Sequence, residues 1–233
     1  MKLSVIIPCY NESSNIPIIL EKFKNLIKSN DIEVILVDNG STDNTEDILN
    51  ESLKKFSFLK VLKIENNIGY GYGIFKGLSN AKGRYLAYSH ADLQTNPGDI
   101  FKALKIIENM SNPKNYFIKG DRKGRPFFDK FFTVGMSIFE TLFLKVKLWD
   151  INAQPNLFHN SFFDLIKDNC PHDFSFDLYM LYMAKKSDME IVRFEVLFPK
   201  RIHGESSWNT GLNSKIKFII RTLKFSIKLK KYL

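Results

Sequence analysis

Three short stretches of the 233-residue chain gather side chains that can bind polar ligands. They are Pro8-Cys9-Tyr10-Asn11-Glu12, Asp38-Asn39-Gly40-Ser41-Thr42-Asp43 and His90-Ala91-Asp92-Leu93-Gln94. Each places carboxylates or amides directly after an apolar run. Acids in such positions could hold a ribose, a base edge or a metal ion, and would repel bare phosphate. Asp, Asn and Ser are also ordinary turn and cap residues, so any one stretch could be purely local structure. His90, Asp92 and Gln94 offer one imidazole nitrogen and two kinds of oxygen at alternate positions. A hard divalent ion takes one or two protein carboxylates and completes its shell with substrate phosphate oxygens. An imidazole in the set shifts the preference toward Mn²⁺ over Mg²⁺. The segment Asn67-Ile68-Gly69-Tyr70-Gly71-Tyr72-Gly73 matches neither GxGxxG nor a Walker A loop, which excludes a dehydrogenase or P-loop ATPase. Its glycines let the backbone pass close to a ligand or another strand.

The elements that must position these residues alternate in type. Leu3–Cys9 is a continuous apolar run, as in a strand covered on both faces. Ile16, Ile19, Leu20, Phe23, Leu26 and Ile27 recur at helical spacing. Strands are expected at Ile32–Val37, Leu59–Ile64, Arg84–Ser89 and Tyr116–Lys119. Helices are expected over Asp43–Lys55, from the glycine-rich segment to about Ala81, and from Pro97 to about Met110. Strands alternating with helices predict an α/β fold, a mostly parallel, doubly wound sheet flanked by helices. In such sheets ligands bind beyond the carboxyl ends of the strands, where all three stretches fall. Three acid-and-amide loops on one rim favour function over local capping. The second half is less regular. Phe128 to Val146 suggests one amphipathic helix or two, Ser161–Asp168 and Phe176–Lys185 look helical, and Ile191–Val196 looks like a strand. Lys200–Asn213 is polar and reads as a loop.

Composition narrows the class. Apolar residues form 44% and charged residues 25% of the chain, as in an ordinary globular protein. Two cysteines without CxxC spacing build neither a zinc finger nor a disulfide framework, and fit a reducing compartment. The N-terminal apolar run is too short for a secretory signal, and no stretch reaches the length of a spanning helix. A cytoplasmic protein, peripheral to a membrane, is expected. The net charge of +9 is unevenly placed. Lys215–Leu233 holds seven cations and no acid, leaving 27 basic against 25 acidic residues elsewhere. On a helical wheel Ile216, Ile219, Ile220, Leu223 and Ile227 form one stripe. Lys217, Arg221, Lys224, Lys228 and Lys231 form the next, with Phe218, Phe225 and Leu229 on a third side. A basic amphipathic helix of this kind can lie on an anionic membrane surface; it could also dock on the body with its lysines solvated. The near-neutral body shows no nucleic-acid-binding module.

These motifs resemble family 2 glycosyltransferases with the GT-A fold. Ser4-Val5-Ile6-Ile7-Pro8-Cys9-Tyr10-Asn11-Glu12 looks like their opening and Val37-Asp38-Asn39-Gly40-Ser41-Thr42-Asp43 like their second signature. His90-Ala91-Asp92-Leu93-Gln94 stands in the place of their metal-binding DxD motif. The resemblance is closest to the polyprenyl-phosphate sugar transferases, including dolichol-phosphate mannose synthases. In that branch an arginine-containing loop and an RxxGxSK-like loop follow, here similar to Asp121-Arg122 and to Arg201-Ile202-His203-Gly204-Glu205-Ser206-Ser207. Two departures stand out: His90 replaces the first DxD acid, and Ser207 stands where the branch often has lysine.

The resemblance implies an inverting transfer of a sugar from a nucleotide-diphosphate donor. Pro8, Tyr10, Glu12, Asp38, Asn39 and Gly69 would form the donor pocket. Asp92, with His90 and Gln94, would hold Mg²⁺ or Mn²⁺ against the diphosphate. Arg122 and Arg201 would add fixed positive charge, and Arg125, Gln154, His203 and Ser206 would line the phosphate and acceptor side. Asp150-Ile151-Asn152-Ala153-Gln154-Pro155-Asn156 also resembles a family segment and could equally be a buried turn. The acceptor is expected to be lipid-linked, a polyprenyl phosphate or a lipid-linked saccharide in cell-envelope polysaccharide or glycolipid assembly. A lipid phosphate is already ionised, whereas a sugar hydroxyl needs a general base. Asp177 is the candidate base, or else only a first-turn helix residue behind a capping Asp173. The expected organisation is a transferase domain over 1–213, with a donor half (1–120) and an acceptor half (121–213), and a basic helix over 214–233. A catalytically inactive GT-A scaffold, or a protein binding through its basic tail, is the competing reading.

Overall fold

A computed structural model describes residues 1–124, 127–199 and 212–230. Two strands start the sheet, β1 (Leu3–Cys9) and β2 (Ile32–Asn39), and both are almost wholly buried. Their unbroken Val, Ile and Leu runs suit a strand that helices cover on both faces. β3 (Leu59–Ile64), β4 (Tyr85–Tyr88), β5 (Tyr116–Lys123), β6 (Asn156–His159) and β7 (Glu190–Leu197) complete a seven-stranded sheet of order β3-β2-β1-β4-β6-β5-β7. β6 pairs antiparallel with β4 and β5, and every other pairing is parallel.

Alternate residues of each strand feed two separate cores. Val5 and Ile7 face α1 (Ile16–Leu26), α2 (Thr45–Leu53) and α4 (Pro97–Glu108). Ile6 and Tyr88 face α3 (Tyr70–Asn80), α6 (Asn160–Ile166) and α7 (Phe176–Lys186). Full burial of one such aliphatic side chain contributes about 1.5–3 kcal/mol. Local signals start the helices. Pro97 opens α4, where Asn96 Oδ1 accepts from the Gly98 amide at 3.0 Å. Two longer helices follow the regular units, α5 (Phe127–Leu144) and α8 (Leu212–Lys230), and they pack on each other.

The structure corrects the sequence expectations in three places. β6 was not expected, because four residues between a proline and a helix carry too little pattern to register as a strand. β5 continues four residues past Lys119, because Gly120 to Lys123 keep pairing with β7 despite their polarity. Leu212 and Asn213 belong to α8 rather than to the expected loop, and Lys200–Gly211 lie outside the described residues. On α8, Ile220 and Ile227 are exposed, whereas Thr222, Ser226 and Leu229 are buried. The cause is Glu140 of α5, whose two carboxylate oxygens accept from Ser226 Oγ at 2.8 and 2.7 Å. A buried carboxylate demands a partner, and that demand sets the rotation of α8. Lys231 of the expected cationic stripe lies outside the described residues.

Candidate active site

The sheet order reverses direction at β1, with β2 on one side and β4 on the other. A crevice opens at such a point beyond the carboxyl ends of the strands. The loops that line it are those after β1, β2 and β4, which carry the three polar stretches.

The first two loops are tied together. Asn11, at φ 56°, accepts from the Thr42 amide at 2.8 Å through Oδ1, and its own amide donates to Ser41 Oγ at 3.0 Å. The Glu12 amide donates to Thr45 Oγ1 at 3.0 Å. Asp38 Oδ1 accepts from the Ser41 amide at 3.0 Å, which closes the turn after β2 and leaves the carboxylate 3% exposed. Asn39 is buried. Its Nδ2 donates to Asn67 Oδ1 at 3.2 Å and to the Gly69 carbonyl at 3.0 Å, while its Oδ1 has no partner. Tyr10 stands 43% exposed at the mouth, and Pro8 and Glu12 are half-buried beside it. All six expected donor-pocket residues therefore belong to one rim, with Gly69 joined to it through Asn39.

Gly69 also explains the glycine-rich segment. It lies at φ +140°, and a Cβ there would sit 2.4 Å from the His172 carbonyl oxygen. The bare backbone lets the start of α3 press against residues 171–173. Tyr70 is fixed at that contact, and its ring stacks with two others, Phe174 at 5.0 Å and 12° and His90 at 5.4 Å and 27°.

The third loop is a tight turn around Asp92, which is 5% exposed. Asp92 Oδ1 accepts from the Gln94 amide at 3.0 Å, and Leu93 takes a positive φ of 59°. The Gln94 side-chain amide donates to the Pro199 carbonyl at 2.9 Å. Among the described residues no three His, Cys, Asp or Glu side chains cluster as a metal cage. The donor set of Asp92 and His90 still fits a divalent ion that draws most of its shell from a diphosphate and water.

Beneath this loop lies a buried polar network that the sequence did not announce. Asp177, 3% exposed, accepts from Tyr88 Oη at 3.0 Å and Gln154 Nε2 at 3.0 Å through Oδ1, and from Tyr70 Oη at 3.4 Å through Oδ2. Gln154 Nε2 also donates to Tyr70 Oη at 3.1 Å. Asn156 Nδ2 donates to Gln154 Oε1 at 3.1 Å. Lys119 Nζ donates to Asn156 Oδ1 at 2.8 Å and to the Ala153 carbonyl at 2.7 Å. Burial raises the Asp177 carboxyl above its ordinary range, opposed by the Lys119 charge, by His90 and by the tyrosine hydroxyls. Burial pushes the Lys119 ammonium down to about 7. Burial and the neighbouring Asp177 hold the Tyr70 phenol well above its usual value. Asp177 was expected as a possible base, or else as a first-turn helix residue; the structure buries it under three donors. Asp173 accepts from the Ser175 amide at 2.8 Å, a local turn ahead of α7.

Arg122 was expected to add fixed positive charge near phosphate. Its guanidinium forms a two-pronged ion pair with buried Asp150 and lies 5.1 Å from the Phe198 ring. Phe198 precedes Pro199, which holds Gln94, so Arg122 reaches the Asp92 loop through that segment. Arg125, Arg201, His203 and Ser206 lie outside the described residues. Tyr70, Tyr88, Lys119 and Asn156 were missed as site residues. Lys119 had a signal, a lysine inside an otherwise apolar strand; the two tyrosines had none.

A mostly parallel sheet with acid-and-amide loops at its switch crevice defines a GT-A-type α/β protein. Comparison with known proteins agrees with that class. The chain belongs to glycosyl transferase family 2, whose family model matches residues 4–161. It is 27% identical over 209 residues to the dolichol-phosphate mannosyltransferase of Pyrococcus furiosus, covering 88% of this chain and 59% of that one. It is 34% identical over 110 residues to the undecaprenyl-phosphate 4-deoxy-4-formamido-L-arabinose transferase of Serratia proteamaculans, covering 46% of this chain and 34% of the relative. The chain thus spans less than two thirds of either relative. Among solved structures, a mannosyltransferase from Pyrobaculum calidifontis in complex with GDP-Man and Mn²⁺ superposes with a TM-score of 0.71 at 15% identity, over 97% of this chain and 64% of that one. Glucosyl-3-phosphoglycerate synthase from Mycobacterium tuberculosis, with Mn²⁺, UDP and glucosyl-3-phosphoglycerate, gives 0.72 at 15% identity, over 97% and 79%. Those two likenesses establish the fold.

Proposed function

We propose that this chain is the catalytic part of a metal-dependent, inverting glycosyltransferase. It moves a sugar from a nucleotide-diphosphate donor to a lipid-linked acceptor at the cytoplasmic face of a membrane, in envelope polysaccharide or glycolipid assembly. The observation that carries this reading is that the Asp38 and Asp92 loops follow β2 and β4, the two neighbours of β1 at the switch crevice, in a chain whose relatives are named for transfer to polyprenyl phosphates.

In this account Asp38 and Asn39 meet the nucleoside, with the unpartnered Asn39 Oδ1 ready to accept from a base N–H. Pro8, Tyr10 and Glu12 line the same pocket. Asp92 and His90 would hold Mg²⁺ or Mn²⁺ beside the donor diphosphate, and the bound ion would supply positive charge for the leaving group. Gln94, whose Nε2 donates to the Pro199 carbonyl, would join them through its Oε1. The acceptor oxygen attacks the anomeric carbon from the face opposite the diphosphate, which inverts the configuration. A lipid phosphate is ionised at neutral pH and loses no proton in that step, so no base is required. The anchored state of Asp177 supports a phosphate acceptor over a sugar hydroxyl. The domain reading follows: residues 1–120 serve the donor, 121–213 the acceptor, and the basic helix an anionic membrane surface.

Donor binding is testable without knowing the acceptor. A ligand at a hundred times its dissociation constant should raise the melting temperature by roughly 5–10 °C. UDP or GDP should do so with Mn²⁺ present and much less without it. No shift with either nucleotide contradicts the reading.

A further inference from the structure

We infer that Tyr70 is a positioning residue for the metal motif: its ring, locked by Asp177 and Gln154, is the surface on which His90 rests. The inference rests on the reading of the Asp92 loop as the donor-metal site and deepens it.

Three independent features hold Tyr70 in one place. Gly69 and Gly71 let the start of α3 touch the backbone of residues 171–173, where a Cβ on either glycine would fall within 2.6 Å of a carbonyl oxygen. Phe174 closes one face of the ring. The hydroxyl donates to Asp177 and accepts from Gln154, and both partners are themselves pinned by Tyr88 and Asn156. The His90 imidazole stacks on the ring held in this way. His90 stands two residues before Asp92, on the same tight turn, so the ring sets the height of that turn in the crevice. Supporting residues of this kind hold the ligands of a metal site in register. The column also runs outward, because the Arg221 guanidinium of α8 lies 5.3 Å from the Phe174 ring.

The network explains why a lysine and a carboxylate are kept inside the protein without meeting solvent. Gln154 and Asn156 link them, and each amide spends its donors and acceptors on a neighbour. Such a fully connected network specifies one arrangement of the groups it joins. Here the arrangement ends at Tyr70.

The test uses the full chain and Mn²⁺ with UDP or GDP as probes. Tyr70→Leu removes the ring and should weaken Mn²⁺ binding in the nucleotide complex by about tenfold or more, the scale seen when a supporting residue of a metal ligand is lost. Tyr70→Phe keeps the ring, loses the hydroxyl anchor and should fall between. Nucleotide binding without metal should change little in both, which a general loss of folding would not spare. A second readout needs no nucleotide. In the metal-free protein the ring protons of His90 should carry an upfield ring-current shift that Tyr70→Phe retains and Tyr70→Leu abolishes. Wild-type metal affinity in Tyr70→Leu, or an unmoved His90 signal, overturns the inference while leaving the functional reading intact. A wild-type chain that binds neither nucleotide with Mn²⁺ contradicts that reading, and the metal role of Tyr70 with it.

Discussion

Asp92 is a buried carboxylate with one oxygen closing its own turn and the other side of the turn resting on an aromatic ring. Replacing Asp92 with alanine should lower transfer by at least about 100-fold, as removal of a charge-stabilising group does, while the circular dichroism spectrum stays that of the folded chain. Retained activity would remove the metal from the account. Side chains such as Asp92, Asp38 and Asn39 were legible in the sequence because they follow apolar strands directly and are themselves unlike strand residues. Asp177 was legible as a residue, but its partners were not. Its three donors are drawn from residues 70, 88 and 154, and such convergence has no local spacing to betray it. Tyr70 was hidden for the same reason, inside a segment whose glycines drew attention to the backbone.

At the scale of elements, β1 to α4 could be read off because each is either a continuous apolar run or a 3.6-residue repeat. β6 could not, since its four residues become a strand only when β4 and β5 flank them. The start of α3 makes a sharp prediction. Gly69→Ala places a Cβ against the His172 carbonyl in a backbone region that L residues avoid, and should cost about 1–3 kcal/mol in a denaturant titration. The seam between α5 and α8 makes another. Burial raises the Glu140 carboxyl to about 7, against an ordinary value near 4.5, with only Ser226 opposing the shift. The folded chain therefore holds a proton there that the unfolded chain has released. Stability falls as pH rises from about 4.5 to about 7 and is lowest above that window. Glu140→Gln should flatten this dependence and raise the melting temperature at pH 8 by a few degrees. A wild-type chain as stable at pH 8 as at pH 5.5, once other groups are matched in the variant, would count against the buried acid.

The whole molecule is asymmetric in charge. The body is nearly neutral, and α8 presents Lys224 and Lys228 beside exposed Ile220 and Ile227. Arg221, Lys224 and Lys228 line an open groove of about 530 Å³ with Asp173, Ile220 and Phe225. Among the described residues no helix is long and apolar enough to cross a membrane. In the proposed function, α8 would attach the chain to the surface that carries the lipid acceptor. Each cation near an anionic surface contributes about 1 kcal/mol, so Lys224→Gln with Lys228→Gln should weaken partitioning onto anionic vesicles by about tenfold or more. Sedimentation with vesicles measures it, and undiminished binding would assign the tail another purpose. The charge asymmetry was legible along the chain, whereas the rotation of α8 was not, because a polar pair rather than an apolar stripe determines it.

The most direct measurement is transfer itself. The full chain is incubated with UDP-sugar or GDP-sugar, Mn²⁺ and vesicles containing a polyprenyl phosphate, and the lipid extract is analysed by mass spectrometry. The account predicts a glycosylated lipid phosphate formed one for one with free nucleoside diphosphate, of inverted anomeric configuration, and absent with Asp92→Ala. Nucleotide binding without any glycosylated lipid phosphate would contradict the phosphate-acceptor claim.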